Sequence, residues 1–196
     1  VFNPITAVHL DIGGVIRVFR HTVQPYTDDF KEVGGGASIN ARFNVTAGTK
    51  LWPQGAFGSG LGRYVGGLVP DAAFRSDGSI STIGTTSWVG GVEQKVSDRV
   101  SLGGYYSGVN SDDNFYSDAG GNYIGFGFPG ASNSNNRTIV EVTGTGSYQF
   151  VKSPDRGSGQ LSLQVSWLSR EPWSQGNGPA SANAVMFFAQ VRYNLP

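Results

Sequence analysis

The chain contains no cysteine and only two histidines, His9 and His21. The absence of cysteine excludes disulfide bonds, zinc–thiolate sites and cysteine nucleophiles. Neither histidine belongs to a metal-ligand spacing such as H-x-x-x-H, so we expect no metal site. Charged residues make up only 14% of the chain and the net charge is zero. Because there is no basic stripe or patch, we expect no nucleic-acid partner.

Catalytic motifs are missing as well. The sequence has no G-x-S-x-G nucleophile elbow and no phosphate-binding loop. We therefore expect no enzymatic activity, no catalytic residues and no cofactor. One enzymatic alternative is a barrel-embedded lipid enzyme that would combine His21 and Asp28 with Ser79 or Ser81, but no motif supports it.

Long apolar runs are also absent, because no stretch approaches the ~18 residues of a transmembrane helix. The chain is instead rich in glycine, with 30 residues, and in aromatic side chains, at 12%. A disordered chain would not carry so many aromatic residues. Transmembrane β-barrels have this composition because each strand presents one face to lipid and the other to a polar lumen.

Apolar and polar residues alternate with a period of two along most of the chain, as in β-strands with one apolar face. In the clearest segment one face carries Val185, Phe187, Ala189, Val191, Tyr193 and Leu195, and the other carries Gln190, Arg192 and Asn194. The same alternation predicts strands near 8–18, 32–45, 82–95, 100–106, 137–151 and 159–170. We count 49–64 as a strand too, despite Pro53 and its glycines, because its neighbours would otherwise run in the wrong directions.

The predicted connections are of two kinds that alternate along the chain. Long polar connections are expected at 21–30, 65–81, 112–136 and 171–182. Short ones are expected near 47–48, 97–99 and 153–157. Outer-membrane barrels have long extracellular loops and short periplasmic turns. The sequence thus predicts an all-β fold, namely an antiparallel transmembrane β-barrel of about eight strands, as one domain over residues 1–196.

A soluble antiparallel sandwich or barrel is the alternative fold, because half-buried soluble strands alternate too. Its wet face would usually carry lysine and glutamate. Here the polar row consists mostly of glycine, serine, threonine, asparagine and glutamine. The predicted strands also exceed the ~5–6 residues that are usual in soluble sheets. These features favour the membrane barrel.

A series of motifs stands in order between residues 50 and 196. It comprises Gly60-Leu61-Gly62-Arg63-Tyr64, Leu68-Val69-Pro70-Asp71, Asp77-Gly78, Asn135-Asn136-Arg137 and the final Phe187–Pro196 run. Together they resemble the porin-like outer-membrane β-barrel proteins of Acidobacteria. The resemblance implies a bacterial outer-membrane location and a diffusion porin. Because members of that family are longer, it also implies that this chain is the C-terminal portion of a larger barrel. The Leu195-Pro196 ending differs from the terminal aromatic of most outer-membrane barrels but is shared with that family.

The alternation assigns candidate residues to each face of the barrel. The lumen-lining candidates are His9, Asp11, Arg17, Arg42, Glu93, Glu141, Gln149, Gln164, Arg170, Gln190 and Arg192. The lipid-facing candidates are Leu10, Ile12, Val142, Tyr148, Leu163, Trp167, Phe187 and Tyr193. In a closed eight-strand barrel the inner charges would form a plug of ion pairs. In a wide porin they would line water and select solutes.

Two functions remain open from the sequence. The first is passive diffusion of small hydrophilic solutes or ions through an outer-membrane porin. The second is a closed eight-strand structural anchor or surface-adhesion protein without a pore. The expected partners are the lipid bilayer and lipopolysaccharide, and a homo-oligomer such as a trimer is left open. The aromatic loop 112–136 would constrict the pore, pack against a second protomer or contact an external partner.

Overall fold

Strands account for most of the chain. The computed structural model describes residues 7–23, 28–153, 155, 157–175 and 178–195. Its long strands are β1 (Ala7–Val23), β2 (Asp28–Asn44), β3 (Thr49–Ser59), β6 (Gly84–Lys95), β7 (Val100–Ser111), β10 (Asn136–Ser153), β11 (Gly157–Pro172) and β12 (Ala182–Asn194). Short strands form two small hairpins, β4 (Ala72–Phe74) with β5 (Ile80–Thr82) and β8 (Asn114–Ser117) with β9 (Tyr123–Phe126). A single turn of 3₁₀-helix covers Gly62–Val65.

The long strands form one antiparallel eight-stranded sheet in the order β1-β2-β3-β6-β7-β10-β11-β12. Each strand therefore pairs with the next long strand along the chain. Within the described residues, β1 and β12 remain at the two edges and do not pair with each other. No helix in this part of the chain is long and apolar enough to cross a membrane. The structure thus shows the predicted all-β class and the antiparallel order of the strands.

Two of the predicted boundaries are wrong. The expected strand over 49–64 ends at Ser59, where Gly60 turns the chain with a φ of 76°. The expected long connection at 21–30 is mostly strand, because β1 continues to Val23 and β2 begins at Asp28. The residues between them, 24–27, lie outside the described residues. The chain therefore has long connections at 60–83, 112–135 and 173–181, and the predicted alternation of loop lengths fails at its first member.

The register divides the main sheet into two faces. On one face, which we call the apolar face, Val142 lies between Tyr106 and Trp167. On the other, the polar face, Thr143 lies between Tyr105 and Ser166. The same division continues into the neighbouring strands, as the register pairs Val165 with Phe187 and Gln160 with Arg192. The predicted period of two therefore describes the sheet from edge to edge.

The apolar face of this sheet is exposed, while some residues of its polar face are buried. On the apolar face Ile12, Ile16 and Phe187 are 75%, 82% and 78% exposed. On the polar face Ser111 and Ser166 are 1% and 0% exposed. A soluble sheet instead buries its apolar face against a second layer. No part of the described chain covers the apolar face.

The only conventional apolar core lies in the long connections. The buried apolar residues of the described chain are Leu61, Val69, Ile80, Ile83, Phe126 and Ala131, and none belongs to a long strand. Val69, Ile83 and Phe126 contact one another and are flanked by Ala73, Val109 and Trp173. Asn114 also ties the connections together, because its amide donates to Thr82 O at 2.8 Å. We call this cluster of packed connections the cap.

Residues 60–83, which we call the docked loop, also fold back onto the polar face of β1–β3. Leu61 is buried there against Gly36 of β2 and Gly58 of β3. A Cβ atom on Gly36 would lie 2.5 Å from Leu61 Cδ1 and closer still to the carbonyl oxygen of Phe57. A side chain at this position would therefore prevent the close approach of the loop.

This approach can be tested with two glycine variants. Gly36→Ala should destabilise the protein by about 1–3 kcal/mol through overpacking beneath Leu61. The matched control is Gly55→Ala on neighbouring β3, where a new Cβ would meet only Ser87 O at 3.7 Å. That control should stay within about 0.5 kcal/mol of the parent protein. Urea unfolding of the folded protein measures both, and equal losses of stability would contradict the close approach.

Candidate functional site

All of the predicted lumen-lining residues lie on the polar face. The register places His9 opposite Arg42 and Asp11 opposite Asn40. Arg17 lies opposite Gly34, and Glu93 opposite Gly103. The same face carries Glu141, Gln149, Gln164, Arg170, Gln190 and Arg192. The structure therefore brings this set onto one surface, and whether that surface lines a lumen stays a prediction.

All of the predicted lipid-facing residues lie on the apolar face. Leu10 pairs with Ala41 and Ile12 with Ile39 on the first two strands. The remaining members of the set are Val142, Tyr148, Leu163, Trp167, Phe187 and Tyr193. Each of these eight side chains is among the exposed large hydrophobic residues. Their contact with lipid stays a prediction.

The charged residues of the polar face do not pair in the way an ion-pair plug requires. The sequence places Asp11, Glu32, Glu93 and Glu141 on this face, with Arg17, Arg42, Arg170 and Arg192. In the described part of the chain, no arginine of this set forms an ion pair with an acid of this set. Asp11 pairs with His9 at 2.9 Å. Arg42 lies over the ring of Trp52 instead, 5.5 Å from its centroid.

Hydrogen bonds that involve hydroxyl and amide groups connect many polar-face side chains along and across the strands. Thr143 Oγ1 donates to Glu141 at 2.9 Å and lies 2.7 Å from Ser166 Oγ. Gln164 donates to Ser166 at 3.0 Å, and Gln160 donates to Ser162 at 3.1 Å. Small hydroxyl and amide groups thus satisfy one another's hydrogen-bonding capacity. They also leave space above the sheet that larger side chains would have filled.

Asp71 holds the docked loop against the sheet. Its carboxylate accepts hydrogen bonds from Arg17 Nη2 at 2.9 Å, and from Arg63 Nε at 3.0 Å and the Arg63 backbone N–H at 2.9 Å. Arg17 also donates to the carbonyl oxygen of Gly60. Arg17 and Asp71 side chains are only 14% and 16% exposed, so this ion pair is shielded from water. Two arginines share one carboxylate, so the cluster carries a net positive charge.

Aromatic rings surround the same cluster. The Arg17 guanidinium lies 4.5 Å from the ring centroid of Phe19 and 5.6 Å from that of Tyr64. Contacts of this kind attract a cation to the face of an aromatic ring. Tyr64 projects over the polar face and lines a cavity of about 360 Å³ with Val15, Ser38, Asn40, Ala56 and Leu61. The docked loop therefore narrows the space above β1–β3.

The Arg17–Asp71–Arg63 cluster sets the protonation of the Asp71 carboxyl. Burial alone would raise its pKa. The hydrogen bonds from Arg17 and Arg63 outweigh burial and lower the pKa from 3.8 to about 2. The carboxylate therefore stays charged, and the docked loop stays anchored, at neutral and mildly acidic pH.

The aromatic loop 112–136 does not reach the polar face in the way the docked loop does. Its Phe115, Tyr123 and Phe128 rings pack together with centroid distances of 5.5 Å to 6.4 Å. Tyr116 Oη accepts a hydrogen bond from the backbone N–H of Ser76. Phe126 lies in the core of the cap. These side chains hold the connections 60–83 and 112–135 together. None of the three alternatives predicted from the sequence for this loop includes such packing.

His21 also contacts the docked loop. Its Nδ1 lies 2.8 Å from the carbonyl oxygen of Gly78 and so donates to it, and its ring packs 4.9 Å from that of Phe74. No group of three or more potential metal ligands occurs among the described residues. The histidine that a lipid enzyme would need is therefore held in a structural hydrogen bond.

No family model, curated protein or solved structure matches the chain. The site therefore has to be interpreted from its own geometry.

Sequence reasoning missed the anchor of the docked loop. In the sequence Arg63, Tyr64 and Asp71 stand out only as parts of motifs, and the pattern predicts a polar connection over 65–81. A signal was present, because Val69, Ile80 and Ile83 are large apolar residues of the kind that pack in a core. Such residues are unusual in a connection that is fully solvated.

Acid should release the docked loop. The folded-state pKa of Asp71 is about 2, below the ~3.9 of an unfolded chain. The stabilisation is therefore fully present above about pH 4 and is lost as the pH falls through about 2. Pepsin digestion between pH 4 and pH 2 should show cleavage within residues 61–68 rising toward the lower pH.

Two substitutions calibrate this experiment. Asp71→Asn should be cleaved at pH 4 already, because it cannot form the ion pairs, and it corrects for the pH dependence of pepsin itself. Asp77→Asn is the matched control in the same loop. The Asp77 carboxylate accepts hydrogen bonds from Ser79. It should behave as the parent protein does. Equal cleavage of the parent protein at both pH values, after correction, would contradict the anchoring role of Asp71.

Proposed function

We propose that this chain forms part of a bacterial outer-membrane β-barrel of the porin type, through which small hydrophilic solutes diffuse passively. The observation that carries the proposal is the exposed apolar face of the main sheet. Its large apolar side chains are exposed, while some polar residues on the opposite face, such as Ser111 and Ser166, are buried. Lipid would favour the exposed apolar side chains, and a water-filled lumen would favour polar side chains on the opposite face.

Strand length supports the same proposal. The long strands comprise 11 to 18 residues. A strand tilted by ~45° needs ~9–11 residues to span the hydrocarbon core. Each of these strands is therefore long enough to cross a bilayer.

The edges of β1 and β12, which have no partner strand within the described residues, limit how the sheet could lie in a bilayer. Unpaired backbone N–H and C=O groups are not tolerated next to hydrocarbon, so the sheet must close. In a closed eight-strand barrel the interior holds only side chains. The docked loop needs more room than that, and the small polar-face residues would leave the interior of an eight-strand barrel partly empty. We therefore propose a barrel of more than eight strands in which β1 and β12 pair with strands outside this sheet.

A structural anchor or surface-adhesion protein is the second candidate, and the packed cap is what favours it. Loops that bury Ile83 and Phe126 and fix Tyr116 form a defined surface that an external partner could recognise. Among the described residues, the polar-face arginines form no ion pairs with the polar-face acids, which argues against the solid interior that a closed anchor would need.

Conductance separates the two candidates. Purified, folded protein added to a planar lipid bilayer in molar potassium chloride should give discrete current steps if the polar face lines a pore. Asp71→Asn should change the step size or its noise, because the docked loop is then no longer anchored above β1–β3. Folded protein that inserts and gives no steps would exclude the pore and leave the anchor.

Lipid contact is tested by placing one charge on each face of the same strand. Leu163 lies on the apolar face of β11 and the adjacent Gln164 on its polar face. Leu163→Arg should destabilise the inserted protein by about 2–4 kcal/mol if it lies near the bilayer midplane. Gln164→Arg is the matched control and should cost far less, because its side chain would remain in water. Folding into lipid vesicles in a urea series measures both, and equal effects would contradict the assignment of the apolar face to lipid.

A further inference from the structure

A second cavity lies on the polar face. It lies at the short-connection end of the sheet, where the short connections join the long strands. It has a volume of about 340 Å³ and is lined by Lys50, Glu93, Lys95, Tyr105, Thr145 and Ser147. Small-molecule pockets usually have volumes of ~300–1,000 Å³. The docked loop occupies the opposite, long-connection end of β1–β3. The two features are therefore separate places along the same face.

Two glycines make room for this cavity and one ring shapes it. Gly91 lies directly opposite Tyr105 on β6, and Gly103 lies two residues before Tyr105 on β7. The Tyr105 ring occupies the space that side chains on both glycines would need, since its atoms lie 2.5 Å to 3.2 Å from the two Cβ positions. Tyr105 Oη donates to Glu93 Oε1 at 2.6 Å. That hydrogen bond fixes the ring as one wall of the cavity.

The charges around the cavity balance. Lys50 and Glu93 are directly opposite one another on neighbouring strands. Lys95 forms an ion pair with Asp98 at 2.8 Å. An anionic solute would meet Glu93, and a cationic solute would meet the two lysines. A neutral solute that both donates and accepts hydrogen bonds could use lysine, carboxylate and hydroxyl groups together.

We propose that this cavity is a binding subsite for a neutral saccharide. The hydroxyls of a sugar ring would pair with Lys50, Glu93, Thr145 and Ser147, and the apolar face of the ring would pack on Tyr105. The proposal deepens the porin function and rests on it, because solutes reach this cavity only if the polar face is open to water. With this subsite the pore would discriminate among uncharged solutes, which the net charge of the polar face alone would not achieve.

Binding is measured by isothermal titration calorimetry on the folded protein in detergent micelles. The probes are glucose and maltose, compared with glucose 6-phosphate as an anion and glucosamine as a cation. Maltose and glucose should bind more tightly than either charged derivative. Tyr105→Ala should weaken maltose binding about tenfold by removing the ring. Tyr106→Ala is the matched control, because Tyr106 is the next residue of β7 and lies on the apolar face.

Folding of each variant is confirmed by circular dichroism and by the heat-dependent gel shift that folded barrels show. If Tyr105→Ala does not fold, Lys50→Gln tests the same subsite through an exposed side chain and should also weaken maltose binding. Unchanged maltose affinity in the folded Tyr105 or Lys50 variant, or tighter binding of a charged derivative, would overturn the proposal. Current steps without maltose binding would overturn the subsite and leave the pore. Maltose binding without current steps would support the subsite and contradict diffusion through a pore.

Discussion

The exposed apolar face of the main sheet is the constraint on which the rest of the structure depends. Burial of apolar surface is worth ~25 cal/mol per Å², so a face carrying side chains such as Ile16 and Phe187 strongly favours an apolar environment. Nothing in the described chain provides that environment, because the only buried apolar cluster lies in the cap. Under the proposed function lipid would cover this face, whereas the cap already buries an apolar cluster of its own.

A second consequence concerns the polar face. Glycine and small hydroxyl residues dominate it, and they leave space where lysine and glutamate would have filled it. At the long-connection end that space admits Leu61 and the docked loop above Gly36. At the short-connection end it forms the cavity beside Tyr105. The same small residues that would weaken an isolated strand therefore create both places where a solute could be selected.

The period-two pattern predicted the two faces correctly because side-chain direction in a strand depends only on local geometry. The lumen-lining candidates all lie on the polar face and the lipid-facing candidates all lie on the apolar face, and their contact with a lumen or with lipid stays a prediction. The connections were predicted less well. The end of β3 at Ser59 and the fold of 60–83 depend on contacts between distant residues. Arg17 and Asp71, for example, are 54 positions apart, and no local pattern could have paired them.

The two ends of the polar face differ in charge, and this difference has a mechanistic consequence under the proposed function. At the long-connection end, two arginines share the Asp71 carboxylate, so the cluster is cationic and attracts anions. At the short-connection end, Lys50 balances Glu93 and Asp98 balances Lys95, so the local field is weak. A solute crossing from the cap side thus meets charge selection first and hydrogen-bonding selection second. Because Asp71 keeps its charge at all but very low pH, the docked loop that carries Arg63 stays anchored beside Arg17. Discrimination among neutral solutes then falls to the cavity beside Tyr105.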